Sequence, residues 1–316
     1  MTSIKKALDW TVNNKLKIKY KSSKTVKIIF RLLFLFGMGF VMLYPILFML
    51  SGAFRAAQDA HDMSVIWIPR NFSIEPMRMA LEVIDFGQGS LATLMILVPS
   101  VILQLVSTLL AAYGFARFRF PGRSILFGIL VFQIIVPSTA IIIPLYTFFQ
   151  GLGILNHPSL FWIMALFGSG IRSALYIFIV RQFFKNIPKE LEEAAMIDGC
   201  GPFKTFVRIM LPNIVPAIVT VTAFSVVWYW NNYYETSMLV GIGDFRTLSL
   251  RMTMIMENIN HAAAGGVGGF TPTELFLMRD SILASASLLL VAPLVILYVF
   301  LQRYLTESVE KTGLVG

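Results

Sequence analysis

Long apolar runs separated by short polar segments set the character of this chain. Nearly uncharged stretches occupy about 27–53, 91–115, 124–150, 158–180, 212–241 and 282–302. Each reaches the roughly 20 residues that a helix needs to cross a hydrocarbon core, whereas helices buried in a soluble core usually show shorter runs. The pattern predicts an all-α integral membrane protein with six transmembrane helices. Prolines 99, 137, 144 and 293 fall inside the runs and predict kinks, which membrane helices tolerate where neighbours satisfy the freed carbonyls.

The polar segments divide the rest. Residues 1–26 form a basic extension expected to be poorly ordered and cytoplasmic. Residues 54–90 mix acidic side chains with Trp67 and Pro69, which suits a compact external loop or short helices and is too short for an independent domain. A second external loop, about 242–281, carries AAAGGVGG at 262–269, where glycine predicts flexibility. No Gly-Lys-Ser/Thr follows, so this is not a phosphate cradle. Residues 90–303 read as one folding unit with the first span packed around it, and 304–316 as a cytoplasmic tail.

The polar segment at 188–212 has a pattern of its own. Pro188 suits the first turn of a helix. Leu191, Ala194, Ala195 and Asp198 then fall at i, i+3, i+4 and i+7, leaving one face almost bare of bulk. Gly199 supplies a stop and Pro202 opens a second helix, in which Phe203, Phe206, Val207 and Met210 share a face away from Lys204 and Arg208. Held beside a membrane, a small-residue helix lets another protein approach its backbone closely. That is a docking element and not a catalytic one.

Charge placement orients the chain. The formal net charge is +9, although only 14% of residues are charged, and the mean hydropathy is +0.74. Lys and Arg concentrate before and at the start of the first run (Lys5 to Arg31), after the second (Arg117, Arg119, Arg123), around the cassette (Arg181, Lys185, Lys189, Lys204, Arg208) and in the tail (Arg303, Lys311). The opposite side holds fewer: Arg55, Arg70, Arg78, Arg246, Arg251 and Arg279. By the positive-inside rule both termini and the cassette face the cytoplasm. Basic residues flanking spans are explained by the membrane and its lipid, and without zinc-finger spacing or a basic–aromatic stripe they do not point to nucleic acid. The first apolar run is too long for a secretory signal and reads as an uncleaved span. One cysteine, Cys200, excludes an intrachain disulfide. His61, His157 and His261 are scattered without metal-ligand spacing.

Two features inside the runs carry candidate chemistry. Arg172 falls within the fourth run, where a central arginine costs about 2.5–3.5 kcal/mol on insertion and so should face protein or water. It reads as a pathway donor for a polar or acidic substrate, as a structural partner of Glu235 or of a backbone carbonyl, or as a residue at the boundary of a span. In the fifth run Trp228, Trp230 and Tyr233 accompany Asn231 and Asn232. Aromatic platforms beside amides suit the apolar faces and polar rims of sugar rings; an interfacial aromatic belt is the alternative. Gln104 and Gln133 are weaker candidates of the same kind.

The cassette also carries a resemblance. Glu193-Ala194-Ala195, Asp198-Gly199, Ile209, Leu211 and Pro212 are similar to the EAA signature of ATP-binding-cassette (ABC) importer permeases. YGFARFRFPGR at 113–123, RQFFKNIPKELEEAAMIDG at 181–199, WYWNN at 228–232 and QRY at 302–304 resemble MalG-type permeases of carbohydrate importers. The resemblance implies a type I ABC importer permease core with a cytoplasmic coupling helix, and gives the coupling role to Glu193, Ala194, Ala195, Asp198 and Gly199. It further implies a bacterial cell-membrane location, a second MalF-like permease, two ABC ATPase subunits and an extracellular solute-binding protein. The resemblance also implies that no cofactor binds this chain, ATP and Mg2+ belonging to the ATPases, and that the cargo is a sugar or oligosaccharide. The main rival is an ion-coupled secondary transporter acting without an ATPase, which predicts coupling sites and inverted repeats that the sequence does not display. A membrane-embedded enzyme would need an acid–base or metal-ligating cluster that the runs lack.

Overall fold

The computed structural model describes residues 2–60, 62, 64, 65, 67–241, 245–265 and 271–313, with side chains from Lys24 to Tyr304 except Ala60. His61 lies outside the described residues. The described chain is helical throughout, with no strand beyond an isolated bridge between Arg55 and Phe72.

Helix α1 (Thr2–Ala53) runs through the basic extension without a break. The extension was expected to be poorly ordered, but neither glycine nor proline interrupts it before Gly37. Its apolar side chains from Val26 to Leu50 are largely exposed, as surfaces facing lipid are. Near its end α1 meets the last helix, where Ser285 Oγ donates to the Ala53 carbonyl at 2.9 Å.

Two short helices, α2 (Ala57–Ala60) and α3 (Glu75–Val83), follow within 54–90. Asp59 holds this segment together, accepting from the Asn71 backbone N–H at 2.7 Å and from Asn71 Nδ2 at 2.8 Å. The Asn71 backbone bond leads the causes that keep the Asp59 carboxyl below the usual carboxylate range.

Helix α4 (Phe86–Arg117) is the central post, packed against several later helices. The third apolar run is two helices, α5 (Arg123–Ile135) and α6 (Ser138–Gly151), bent by 107°. Val136 is extended, the conformation that a following proline favours. The fourth run is likewise interrupted, into α7 (Ser159–Leu166) and α8 (Ser173–Asn186). Pro99 and Pro144, by contrast, lie inside continuous α4 and α6.

The cassette comprises α9 (Glu190–Ile197), α10 (Pro202–Thr205), a π turn (Phe206–Met210) and α11 (Leu211–Asn213). The chain bends by 79° into α12 (Val215–Trp230). Pro188 stands just outside α9 rather than in its first turn. The expected apolar face of the second cassette helix is divided: Phe206 and Met210 are buried, whereas Phe203 and Val207 are exposed. Phe203 sits in the first turn, ahead of the packed part, and the π turn changes the rotation per residue beyond it.

After α12 come α13 (Tyr234–Leu239), α14 (Leu248–Thr253), α15 (Ile255–Gly265) and α16 (Pro272–Leu277), then α17 (Arg279–Gly313), which passes through Pro293. The glycine-rich stretch was expected to be flexible; its first part, 262–265, is helical, and 266–270 lie outside the described residues. Among the described residues three helices are long and apolar enough to span a membrane, or five if each bent pair is one span. Two apolar clusters hold them together. One joins α4, α7, α12 and α17 through Ile96, Phe161, Tyr229 and Ile282. The other joins the opposite end of α4 to α8 and the cassette through Tyr113, Phe184, Phe206 and Met210.

Candidate functional site

A cavity of about 260 Å3 forms where three interrupted helices converge. Gln133, Val136 and Ser138 line it from the α5–α6 break, and Ser169 to Ser173 from the α7–α8 break. Trp228 and Asn231 to Glu235 line it from the end of α12. Irregular backbone inside an apolar bundle is tolerated where it is buried in protein or borders a water-filled space, and here all three interruptions face one space.

The α7–α8 break is held by α4. Gln104, wholly buried, donates Nε2 to the Ile171 carbonyl at 2.6 Å and to Ser173 Oγ at 3.0 Å. Ser107 Oγ donates to the Ala165 carbonyl at 2.7 Å. These side chains satisfy groups that a continuous helix would have paired internally. Gln104 therefore supports the break and does not line the cavity. Gly168 and Arg172 both take left-handed backbone conformations, with φ of 69° and 59°. Gly170 has no room for a side chain, because a Cβ would lie 2.8 Å from Tyr229 Oη.

Arg172 is thus the residue before α8 and not mid-helix. Its guanidinium carbon lies 4.4 Å from the Trp228 ring centroid, a cation–π contact. Among the described residues it forms no ion pair with Glu235, although both border the cavity. Asn232 Nδ2 donates to Glu235 Oε2 at 3.1 Å, and Asn231 Nδ2 to the Val227 carbonyl at 3.0 Å. Arg172, Trp228, Asn231, Asn232 and Tyr233 are brought together. Trp230 is not among them: it is buried on another face of α12 and donates Nε1 to the Leu290 carbonyl at 3.0 Å. Two residues advance a helix by about 200°, so Trp228 and Trp230 cannot share a face.

The cassette places its residues on two sides. Ala195 is buried against the bundle, while Glu193, Ala194, Asp198 and Gly199 are exposed. The bare face expected from spacing is therefore split by Ala195. Cys200 N–H donates to the Ala195 carbonyl at 2.9 Å and Gly199 N–H to the Met196 carbonyl at 3.1 Å, a Schellman ending. Gly199 has φ of 79° and no atom within 4 Å of a built Cβ, so conformation rather than crowding within the chain calls for glycine. Beside it stand two large exposed apolar side chains, Ile197 at 86% and Phe203 at 75%.

Sequence reasoning missed Ser138, Ser169 and the α7–α8 break, whereas the kink expected at Pro137 is the 107° bend between α5 and α6. The Gly168-Ser169-Gly170 triplet and the extended conformation expected before Pro137 were the available signals.

Broken helices gathered around a polar cavity in an apolar bundle define a membrane transport component. The chain belongs to the family of binding-protein-dependent transport system inner membrane components, whose model matches residues 104–311. It is accordingly a permease subunit of an ABC importer and not an enzyme, and such a permease works with an ATPase and a substrate-binding protein. It is similar to the alpha-glucoside transport system permease protein AglG of Rhizobium meliloti (strain 1021), with 29% identity over 250 residues, 78% of this chain and 62% of that protein. The diacetylchitobiose uptake system permease protein DasC of Streptomyces coelicolor is 27% identical over 279 residues, 87% of this chain and 92% of DasC. The fold matches a chain in the crystal structure of a bacterial ABC transporter involved in the import of the acidic polysaccharide alginate. The TM-score is 0.73, with 20% identity and coverage of 89% of this chain and 97% of that one.

Proposed function

We propose that this chain is one of two membrane subunits of a saccharide importer, and that the cavity bordered by Arg172 and Trp228 is its share of the pathway. The observation that carries this reading is the convergence of three broken helices on a space lined by an aromatic ring, a guanidinium and two amides. An aromatic face suits the C–H side of a pyranose, while Asn231, Asn232 and Arg172 offer donors to its hydroxyls. At about 260 Å3 the cavity lies at or below the ~300–1,000 Å3 of self-contained small-molecule sites, which favours a second, MalF-like permease completing it. The saccharide transport roles printed for AglG and DasC support the substrate class.

In this reading the chain crosses the membrane six times, counting each bent pair and the interrupted α7–α8 segment as one span, with both termini in the cytoplasm. Residues 90–303 form the transporting unit. Helix α9 is the coupling helix: Glu193, Ala194, Asp198 and Gly199 face an ATPase, with Ile197 and Phe203 as exposed apolar anchors outside the spans. Two ATPase subunits bind ATP and Mg2+, and an external solute-binding protein delivers the cargo.

The test is affinity purification of the tagged chain from its native membrane, then uptake by the recovered complex of radiolabelled alpha-glucosides and chitin-derived disaccharides. Recovery of an ATPase and a second permease, with ATP-dependent uptake of at least one saccharide, is expected. Solute movement by the isolated chain without ATP would overturn the reading in favour of an ion-coupled transporter.

A further inference from the structure

At the end of the bundle that carries the cassette, three arginines bind helix ends to one another. Arg181 Nε donates to the Phe115 carbonyl at 3.1 Å and its guanidinium lies 3.8 Å from the Phe127 ring centroid. Arg123 Nη2 donates to the Ala116 carbonyl at 3.3 Å. The third, Arg117, reaches the cassette. Its Nε lies 2.8 Å from Glu192 Oε1, with the two side chains only 7% and 13% exposed. Its Nη2 donates to the Ile187 carbonyl at 2.6 Å, just ahead of α9.

Little else anchors the body of α9, since Ala195 is its one buried residue. A nearly dry ion pair in that position resists separation, because moving either charge away leaves the other desolvated and unpaired. Arg117 is also the last residue of α4. Thirteen residues back along the same uninterrupted stretch is Gln104, about 20 Å away at 1.5 Å per residue. Gln104 grips the α7–α8 break that presents Arg172 to the cavity.

We propose that the Arg117–Glu192 pair is the strut through which movement of α9 enters α4, and that α4 carries it to the Gln104 grip and so to the cavity. Glu192 and Arg117 are positioning residues, distinct from the exposed Glu193, which faces outward. The inference rests on α9 being the ATPase-contacting helix.

The test uses the whole transporter in lipid nanodiscs, with Cys200→Ser as background and Ser169→Cys as a reporter inside the cavity. The probe is a water-soluble maleimide, and the readouts are its labelling rate with and without ATP plus vanadate, ATP hydrolysis, and ATPase retained on purification. With the strut intact, nucleotide changes the labelling rate by about tenfold, a usual size for coupling between sites. Arg117→Glu or Glu192→Arg keeps the ATPase bound and hydrolysis within about twofold, while the nucleotide-dependent change in labelling falls below about twofold. The exchanged pair, Arg117→Glu with Glu192→Arg, restores it. Should a charge reversal prevent assembly, the isosteric Glu192→Gln carries the same test with the same outcomes.

Strut variants that keep the full nucleotide-dependent change overturn the proposal. So does a fall in labelling change and hydrolysis in equal proportion, which indicates general damage. Ile197→Asp separates this failure from that of the underlying reading. If it leaves the ATPase bound, α9 is not the contact helix; if it strips the ATPase while the strut variants behave like the parent, only the strut is wrong.

Discussion

Trp228 and Trp230 stand two positions apart and do different work. Trp228 is partly exposed to the cavity, where its ring supports the Arg172 guanidinium, a contact worth about 0.5–2 kcal/mol depending on its hydration. Trp230 is packed and hydrogen-bonded to Leu290, so truncating it removes a large buried side chain at a cost of about 3–5 kcal/mol. Trp228→Ala is therefore expected to raise the KM for uptake with little change in Tm, and Trp230→Ala to lower Tm and yield with little specific effect on KM. Equal loss of Tm in the two variants, measured on the detergent-solubilised complex, would refute this division. The opposed faces were legible from helix periodicity alone. The meaning of Arg172 was not, because its left-handed φ of 59° depends on Gln104, 68 positions earlier, and no local pattern encodes that partnership.

At the scale of elements, the apolar runs announced themselves, and of their interruptions the bend at Pro137 was expected while the α7–α8 break stayed hidden. Averaged hydropathy measures how apolar a window is and is indifferent to a turn inside it, so the Val136–Pro137 and 167–172 breaks disappear into runs that read as single spans. Proline marked the first of these breaks at Pro137 but was not a sufficient signal, since Pro99, Pro144 and Pro293 sit inside continuous helices. The cassette was more readable because its stop is local: Gly199 N–H bonds the Met196 carbonyl and Cys200 N–H the Ala195 carbonyl, closing α9. A β-branched residue there must leave the left-handed region or bear a strain of about 1–2 kcal/mol, whereas asparagine enters that region more readily. Gly199→Val is thus expected to weaken retention of the ATPase on purification, and Gly199→Asn to preserve it. Identical retention in both would mean that the turn geometry does not matter for docking.

For the whole molecule, orientation rests on a parity argument. Three uninterrupted long helices, two bent pairs and the interrupted α7–α8 segment give six crossings, an even number, if every broken element traverses the bilayer. If one returned to its side of entry, the termini would lie on opposite sides and the basic segments would no longer share a compartment. The distribution of Lys and Arg argues for complete crossings, since the N-terminal segment and the 117–123 turn are basic and Arg181, Lys185, Lys189, Lys204 and Arg208 gather in and around the cassette, while 54–90 is rich in acids. The chain contains one cysteine, Cys200, in the cassette turn, which makes the arrangement directly readable. In intact cells an impermeant maleimide is expected to leave Cys200 unmodified until the membrane is opened. In the Cys200→Ser background, Ser64→Cys, at an exposed position in the 54–90 segment, should label at once. Labelling of Cys200 from outside would place the cassette on the wrong face and detach α9 from any cytoplasmic ATPase. Protection of both sites would instead mean that 54–90 is covered or that one of the three crossings between Ser64 and Cys200 is incomplete. Opening the membrane distinguishes those cases, because a covered Ser64→Cys stays protected whereas one on the cytoplasmic side is then labelled.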